Sequence, residues 1–147
     1  MTPTLTCSSS ATVLMIDDNP EDLEYWSKLL RVSSSNYSIL KAQRVRAGLD
    51  LCQYQKIDCI IVDLDMGDSS GFEVLLTLIP DRKRPEIAVV VLTRLRNPSL
   101  HETVLYHGAQ AYLVKQLTSA DELDKAIQKA VTSVASKLNE RPPKDCG

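Results

Sequence analysis

Four places in this 147-residue chain put a reactive side chain directly after a run of apolar residues. Val13-Leu14-Met15-Ile16 ends on Asp17-Asp18, Cys59-Ile60-Ile61-Val62 ends on Asp63, Ile87 to Leu92 ends on Thr93, and Ala111-Tyr112-Leu113-Val114 ends on Lys115. A charge placed where a buried strand emerges is costly unless something pairs with it, so Asp63 reads as a working group and not as a surface acid. If Asp17, Asp18 and Asp63 share one crevice, they repel one another. Either some stay protonated or a cation sits among them, and a hard divalent ion is the simpler solution. Mg²⁺ takes oxygen ligands and uses one or two carboxylates together with phosphoryl oxygens. Such a site can accept a phosphoryl group onto a carboxylate. Asp63 would be the nucleophile, the metal and Lys115 would neutralise charge on the phosphoryl oxygens, and the Thr93 hydroxyl would donate a hydrogen bond to one of them. Any one of these residues alone reads as ordinary surface or structural chemistry; their joint occurrence at four strand ends carries the reading. His101 and His107 join no such set and read as helix-surface residues.

The elements that must position these side chains follow from periodicity. β-branched apolar runs without alternation mark strands buried on both faces, and Tyr37 to Ala42 adds a further, more weakly patterned one. Between them lie helical stretches. Asn19-Pro20-Glu21-Asp22 has a cap, a proline at the first helical position and two acids in the positive first turn; Leu23, Trp26 and Leu30 mark the buried side of that helix. Val45, Leu49 and Cys52 share a face of the next helix despite Gly48, and Phe72, Leu75, Leu76 and Ile79 share one on the third. A short, weak stripe of Leu100, Val104 and Leu105 starts after Asn97-Pro98 and stops at Gly108. Ser119 and Glu122 have capping-box spacing before a long amphipathic helix through Leu123, Ile127, Ala130, Val131 and Val134. Five strands alternating with five helices predict an α/β, flavodoxin-like three-layer sandwich with a parallel sheet of order 2-1-3-4-5. That order brings the ends of strands 1 and 3 together at the switch point.

One folded domain, 11–138, is expected between a flexible lead-in, 1–10, and a flexible tail, 139–147. With 17 basic against 19 acidic residues and no basic block, neither a nucleic acid nor a membrane surface is an expected partner. No signal segment or membrane-length apolar run is present, which predicts a cytoplasmic protein. The cysteines Cys7, Cys52, Cys59 and Cys146 lack CxxC spacing and read as reduced thiols.

From Val13 to Leu138 the chain resembles the receiver domains of two-component response regulators. The likeness rests on Ile16-Asp17-Asp18, on Val62-Asp63-Leu64 followed by Gly71-Phe72-Glu73-Val74-Leu75, on Val91-Leu92-Thr93, and on Gly108 to Lys115. By that resemblance Asp63 is the phosphoacceptor. Asp18 holds Mg²⁺ (or Mn²⁺) directly and Asp17 mostly through water, with the backbone carbonyl of Asp65 as a further ligand. Thr93 and Lys115 contact the phosphoryl group, and Tyr112 is the aromatic that changes rotamer with Thr93. A histidine kinase or histidine phosphotransfer protein would supply the phosphoryl group. The readout face would be the helix after Thr93, the strand bearing Tyr112 and the last helix, turned toward a downstream protein target or an output domain; no output domain is expected after Leu138. Such a protein catalyses its own phosphorylation and dephosphorylation and turns over no separate substrate.

Three positions depart from the family pattern. Gln116 stands where a cis proline is usual, which predicts a trans peptide and a displaced loop; Gly67 replaces a common proline. Arg94 replaces a small residue and is long enough to overhang the site, restricting water or pairing with the phosphate. Asp65 adds another acid. Two other readings compete: a receiver-like scaffold that no longer turns over phosphate, supported by Arg94 and Gln116, and a haloacid-dehalogenase-like phosphatase, suggested by Asp63-Leu64-Asp65. The latter needs its acidic metal pair downstream of the nucleophile, whereas Asp17-Asp18 lies upstream. A flavodoxin proper lacks its phosphate-cradling loop here.

Overall fold

The computed structural model describes residues 11–33, 36–66, 71–81 and 85–139. The lead-in 1–10, Gly67, Cys7, Cys146 and the tail from 140 lie outside the described residues. The strands are β1 (Ala11–Ile16), β2 (Tyr37–Ala42), β3 (Cys59–Val62), β4 (Ala88–Thr93) and β5 (Ala111–Val114). The helices are α1 (Pro20–Arg31), α2 (Val45–Tyr54), α3 (Phe72–Leu78), α4 (Pro98–Tyr106) and α5 (Ala120–Asn139). All four strand pairings are parallel and the sheet runs β2-β1-β3-β4-β5, the order expected from the alternation of elements.

The parity of each strand decides which helices it meets. Leu14, Ile16, Ile60, Val62, Val89 and Val91 face α2, α3 and α4, where Val45, Val74, Leu75 and Val104 complete one core. Val13, Met15, Cys59, Ile61, Val90 and Leu92 face α1 and α5, packing on Leu23, Trp26, Leu30, Leu123 and Ile127. Two-sided burial explains the unbroken apolar runs of β1, β3 and β4: with side chains alternating across the sheet, every position has a core to enter. Each fully buried aliphatic side chain contributes about 1.5–3 kcal/mol. Burial raises the Cys59 thiol and keeps it an inert packing group, and both Cys52 and Cys59 are free.

Helix ends follow their local chemistry. Asn19 caps α1 by accepting from the Glu21 and Asp22 amides at 2.9 and 3.2 Å. Asn97 caps α4 through the Leu100 amide, and Ser119 and Glu122 exchange the two bonds of a capping box at α5. Gly108, at φ 108°, turns the chain from α4 toward β5 in a conformation that side chains rarely adopt.

Two helices differ from the sequence reading. On α3 the buried residues are Val74 and Leu75, while Leu76 is 53% exposed. The helix is only seven residues long and enters through Gly71, so its inward face is set by where it leaves the site loop. On α4 only Val104 is buried and Leu105 is exposed. His101 is exposed, whereas His107 is half-buried, edge-on to Phe72 and Tyr106.

Candidate functional site

Register delivers the reactive residues to one end of the sheet. Ile16 pairs with Val62 across β1 and β3, and the ladder continues one step, with the Asp63 amide donating to the Ile16 carbonyl at 3.0 Å. Asp17 and Asp63 therefore emerge side by side. Thr93 pairs with Val114, so Lys115 leaves β5 one residue beyond it. The short 3₁₀ turn Lys115–Leu117 then closes, with the Thr118 hydroxyl donating to the Val114 carbonyl at 2.8 Å.

The Lys115 ammonium lies where the carboxylates converge. It donates to Asp17 Oδ2 at 2.6 Å, to Asp22 Oδ2 at 2.7 Å and to Asp63 Oδ2 at 2.9 Å, so its three N–H groups meet three acids. The remaining oxygens are also engaged. Asp17 Oδ1 accepts from the Asn19 amide and Asp63 Oδ1 from the Asp65 amide, each at 2.9 Å. The Arg94 guanidinium closes the outside of the cluster, with Nη2 at 3.0 Å from both oxygens of Asp22.

From sequence Asp22 reads only as an acid in the dipole of α1, not as a site residue. The available signal was its position in a first turn fixed by Asn19-Pro20, immediately after a strand-end acid. Asp17 orients Asn19, and Asn19 caps the amide of Asp22, so one local turn carries both carboxylates. Arg94, read as overhanging the site, is anchored to Asp22. Asp18 and Asp65 occupy exposed positions, and the three Lys115 bonds described above go to Asp17, Asp22 and Asp63. Thr93 is fully buried and its Oγ1 accepts from the Leu95 amide at 3.4 Å. The Tyr112 hydroxyl donates to the Leu95 carbonyl at 2.5 Å, and its ring stacks on His101 with centroids 4.9 Å apart. Among the described residues there is no cis peptide, as expected with Gln116 after the lysine.

Electrostatics follow from this crowding. Burial alone would push Lys115 down, but the hydrogen bonds it donates to Asp17, Asp22 and Asp63 outweigh it and hold the ammonium above its usual range. Asp17 is raised, chiefly by burial, against the pull of Lys115 and the Asn19 amide. For Asp22 burial is again the largest single influence, yet Lys115 and Arg94 together lower it. Three carboxylates against two cations leave one net negative charge in the cluster, with Asp18 next to Asp17 and Asp65 two residues beyond Asp63 in sequence. Hard oxygen donors with residual negative charge fit a divalent cation of the Mg²⁺ kind. Among the described residues, however, no ready-made metal cluster is found, and Lys115 occupies the point where Asp17, Asp22 and Asp63 meet.

Gly71 holds the floor of this site. A Cβ there would lie 2.2 Å from the Asp63 carbonyl oxygen and 2.7 Å from Val62 Cγ2. Backbone cannot yield as a side-chain tip can, so Gly71→Ala is expected to cost about 2–3 kcal/mol in urea unfolding. An unchanged midpoint and slope would show that the loop relaxes freely.

Sequence comparison agrees with this geometry. The profile of the response regulator receiver domain matches residues 13–128, and the chain belongs to that family, a component of two-component signalling. A probable cyclic di-GMP phosphodiesterase of Vibrio cholerae is 27% identical over 110 residues, 75% of this chain and 24% of that protein. The transcriptional regulatory protein GlrR of Escherichia coli is 28% identical over 131 residues, 89% of this chain and 28% of that protein. This chain thus spans about a quarter of the length of both. The polar-differentiation response regulator DivK of Brucella anthropi, 24% identical over 107 residues, is covered to 85%. A response regulator receiver domain protein from Clostridium thermocellum superposes with a TM-score of 0.73 at 28% identity, covering 84% of this chain and 95% of that one. Chemotaxis protein CheY4 of Vibrio cholerae gives 0.72 at 25% identity, covering 83% and 99%. No helix among the described residues is long and apolar enough to cross a membrane.

Proposed function

We propose that this chain is a phosphoacceptor module that takes a phosphoryl group from a phosphohistidine donor, on a histidine kinase or histidine phosphotransfer protein, onto Asp63. The observation that supports this most directly is the contact of Lys115 with Asp63 Oδ2 at 2.9 Å, deep in a cluster that carries net negative charge. In the forward step an Asp63 oxygen forms a bond to phosphorus as the donor's N–P bond breaks, and the departing nitrogen takes a proton. Lys115 stands next to the attacking oxygen and neutralises charge on the transferred group, while the buried Thr93 hydroxyl can turn from the Leu95 amide toward it. Asp17, Asp18, Asp63 and the Asp65 carbonyl would hold Mg²⁺, which when bound supplies further positive charge at the phosphoryl oxygens.

The output rests on a shared anchor. Thr93 and Tyr112 both bind Leu95, one at its amide and the other at its carbonyl, so a turn of the threonine disturbs the tyrosine through one residue. With only Val104 buried, α4 is weakly held and suited to shift, exposing an altered α4–β5–α5 face to a protein target. Incubation with Mg²⁺ and phosphoramidate should add one phosphoryl group by intact mass. Borohydride should then convert Asp63 to homoserine, and amide exchange should change across 97–108. No adduct, or reduction at another acid, would remove the reading; an adduct with unchanged exchange would remove the switch.

A further inference from the structure

The Lys115 ammonium has three N–H groups, and all three are committed to carboxylates. To reach a phosphoryl oxygen on Asp63 it must release one of them. Asp17 and Asp63 are buried strand-end residues, whereas the Asp22 side chain is the most exposed of the three at 13% and is already shared with Arg94. Arg94 directly follows Thr93, so the chain Arg94–Asp22–Lys115 runs from the end of β4 to the first turn of α1, across the mouth of the site.

We infer that Asp22 and Arg94 are positioning residues forming a latch: Asp22 holds Lys115 against Asp63, Arg94 holds Asp22, and opening of this pair limits access to the acceptor. The same latch limits access of water to phosphorylated Asp63. In that hydrolysis a water oxygen bonds to phosphorus, the bond from phosphorus to the Asp63 oxygen breaks, and the carboxylate is restored as inorganic phosphate leaves with the proton. The inference builds on Asp63 as acceptor and adds a control on entry and lifetime. Its energetic scale is set by the outer link, since Arg94 is half exposed and a solvent-screened pair is weak.

The test uses the full chain and Arg94→Ala, Arg94→Lys and Asp22→Asn, with Mg²⁺ and phosphoramidate, followed by intact mass during uptake and after donor removal. Arg94→Ala and Asp22→Asn should take up and lose the phosphoryl group about threefold faster than the unaltered chain. Arg94→Lys keeps the charge on a shorter side chain whose ammonium stands further from Asp22, so it should move the same way by a smaller factor. Unchanged or slower uptake in Arg94→Ala overturns the latch, as an attraction of Arg94 for the anionic donor would give that result. A second readout needs no phosphoryl donor. Brief acylation with acetic anhydride, with Lys115 scored against exposed Lys28 by peptide mass, should rise about threefold at Lys115 in Arg94→Ala. An unchanged ratio overturns the proposal. If no chain takes up phosphate, the acceptor reading fails, and the acylation ratio still decides the latch.

Discussion

Asp63→Asn is expected to take up no phosphoryl group from phosphoramidate while unfolding within about 1 kcal/mol of the unaltered chain. The loss of uptake follows from chemistry: a carboxamide has no charged oxygen to attack phosphorus, and Lys115 would face a neutral group. Near-constant stability follows from opposing effects. Asp63 accepts from the Asp65 amide with one oxygen and from Lys115 with the other, whereas asparagine has a single acceptor, so one bond is lost. Against this, the cluster of Asp17, Asp22, Asp63, Lys115 and Arg94 goes from one net negative charge to none, and repulsion between Asp17 and its neighbour is relieved. Intact mass and urea unfolding read the two effects separately. Retained uptake would move the acceptor to another acid, and a loss of several kcal/mol would make Asp63 chiefly a structural partner of the lysine.

That prediction uses residues legible from sequence, because β1, β3, β4 and β5 each end on a reactive side chain and the strand order follows from the alternation of elements. Parallel strands buried on both faces leave a strong local signature, and their carboxyl ends must share one edge of the sheet. The partners of those residues were less legible. Asp22 satisfies a helix dipole as well as it satisfies Lys115, so its local chemistry gives no hint of the long-range contact. Arg94 reaches a residue 72 positions away, a pairing that no local pattern encodes. Spacing alone puts Leu76 on the buried side of α3, yet the short helix turns Val74 inward. Gly48, costly in a helix by propensity, sits where a Cβ would meet Ile16 Cδ1 at 2.4 Å, so close packing of α2 on β1 accounts for it.

Lys115→Met should have the largest effect on the fold, a loss of about 3–5 kcal/mol near neutral pH. Methionine keeps an unbranched chain in a site where the lysine side chain is only 4% exposed, so packing changes little and the charge is the main variable. Among the described residues, Asp17, Asp22 and Asp63 would then share Arg94 as their one cation, and it reaches Asp22. The pH dependence carries a definite sign. Lys115 is raised in the folded state, so its contribution is fully present below the ordinary lysine range and fades only as pH climbs through the raised value. Asp22 is lowered, so its share is present above the ordinary carboxylate range and fades as pH falls through the lowered value. The difference between the two proteins should therefore stay flat from about pH 6 to 9 and shrink below about pH 4, where the acids protonate. Added Mg²⁺ should raise the midpoint of Lys115→Met more than that of the unaltered chain, because the freed oxygens then bind a cation that the unfolded chain does not hold. Uptake at Asp63 should fall about a hundredfold, the usual effect of losing one donor to a developing anion. Urea unfolding at pH 4, 7 and 9, with and without Mg²⁺, checks all of this. A loss below about 1 kcal/mol at pH 7 would mean that the three contacts are solvent-screened and that the lysine does not organise the site.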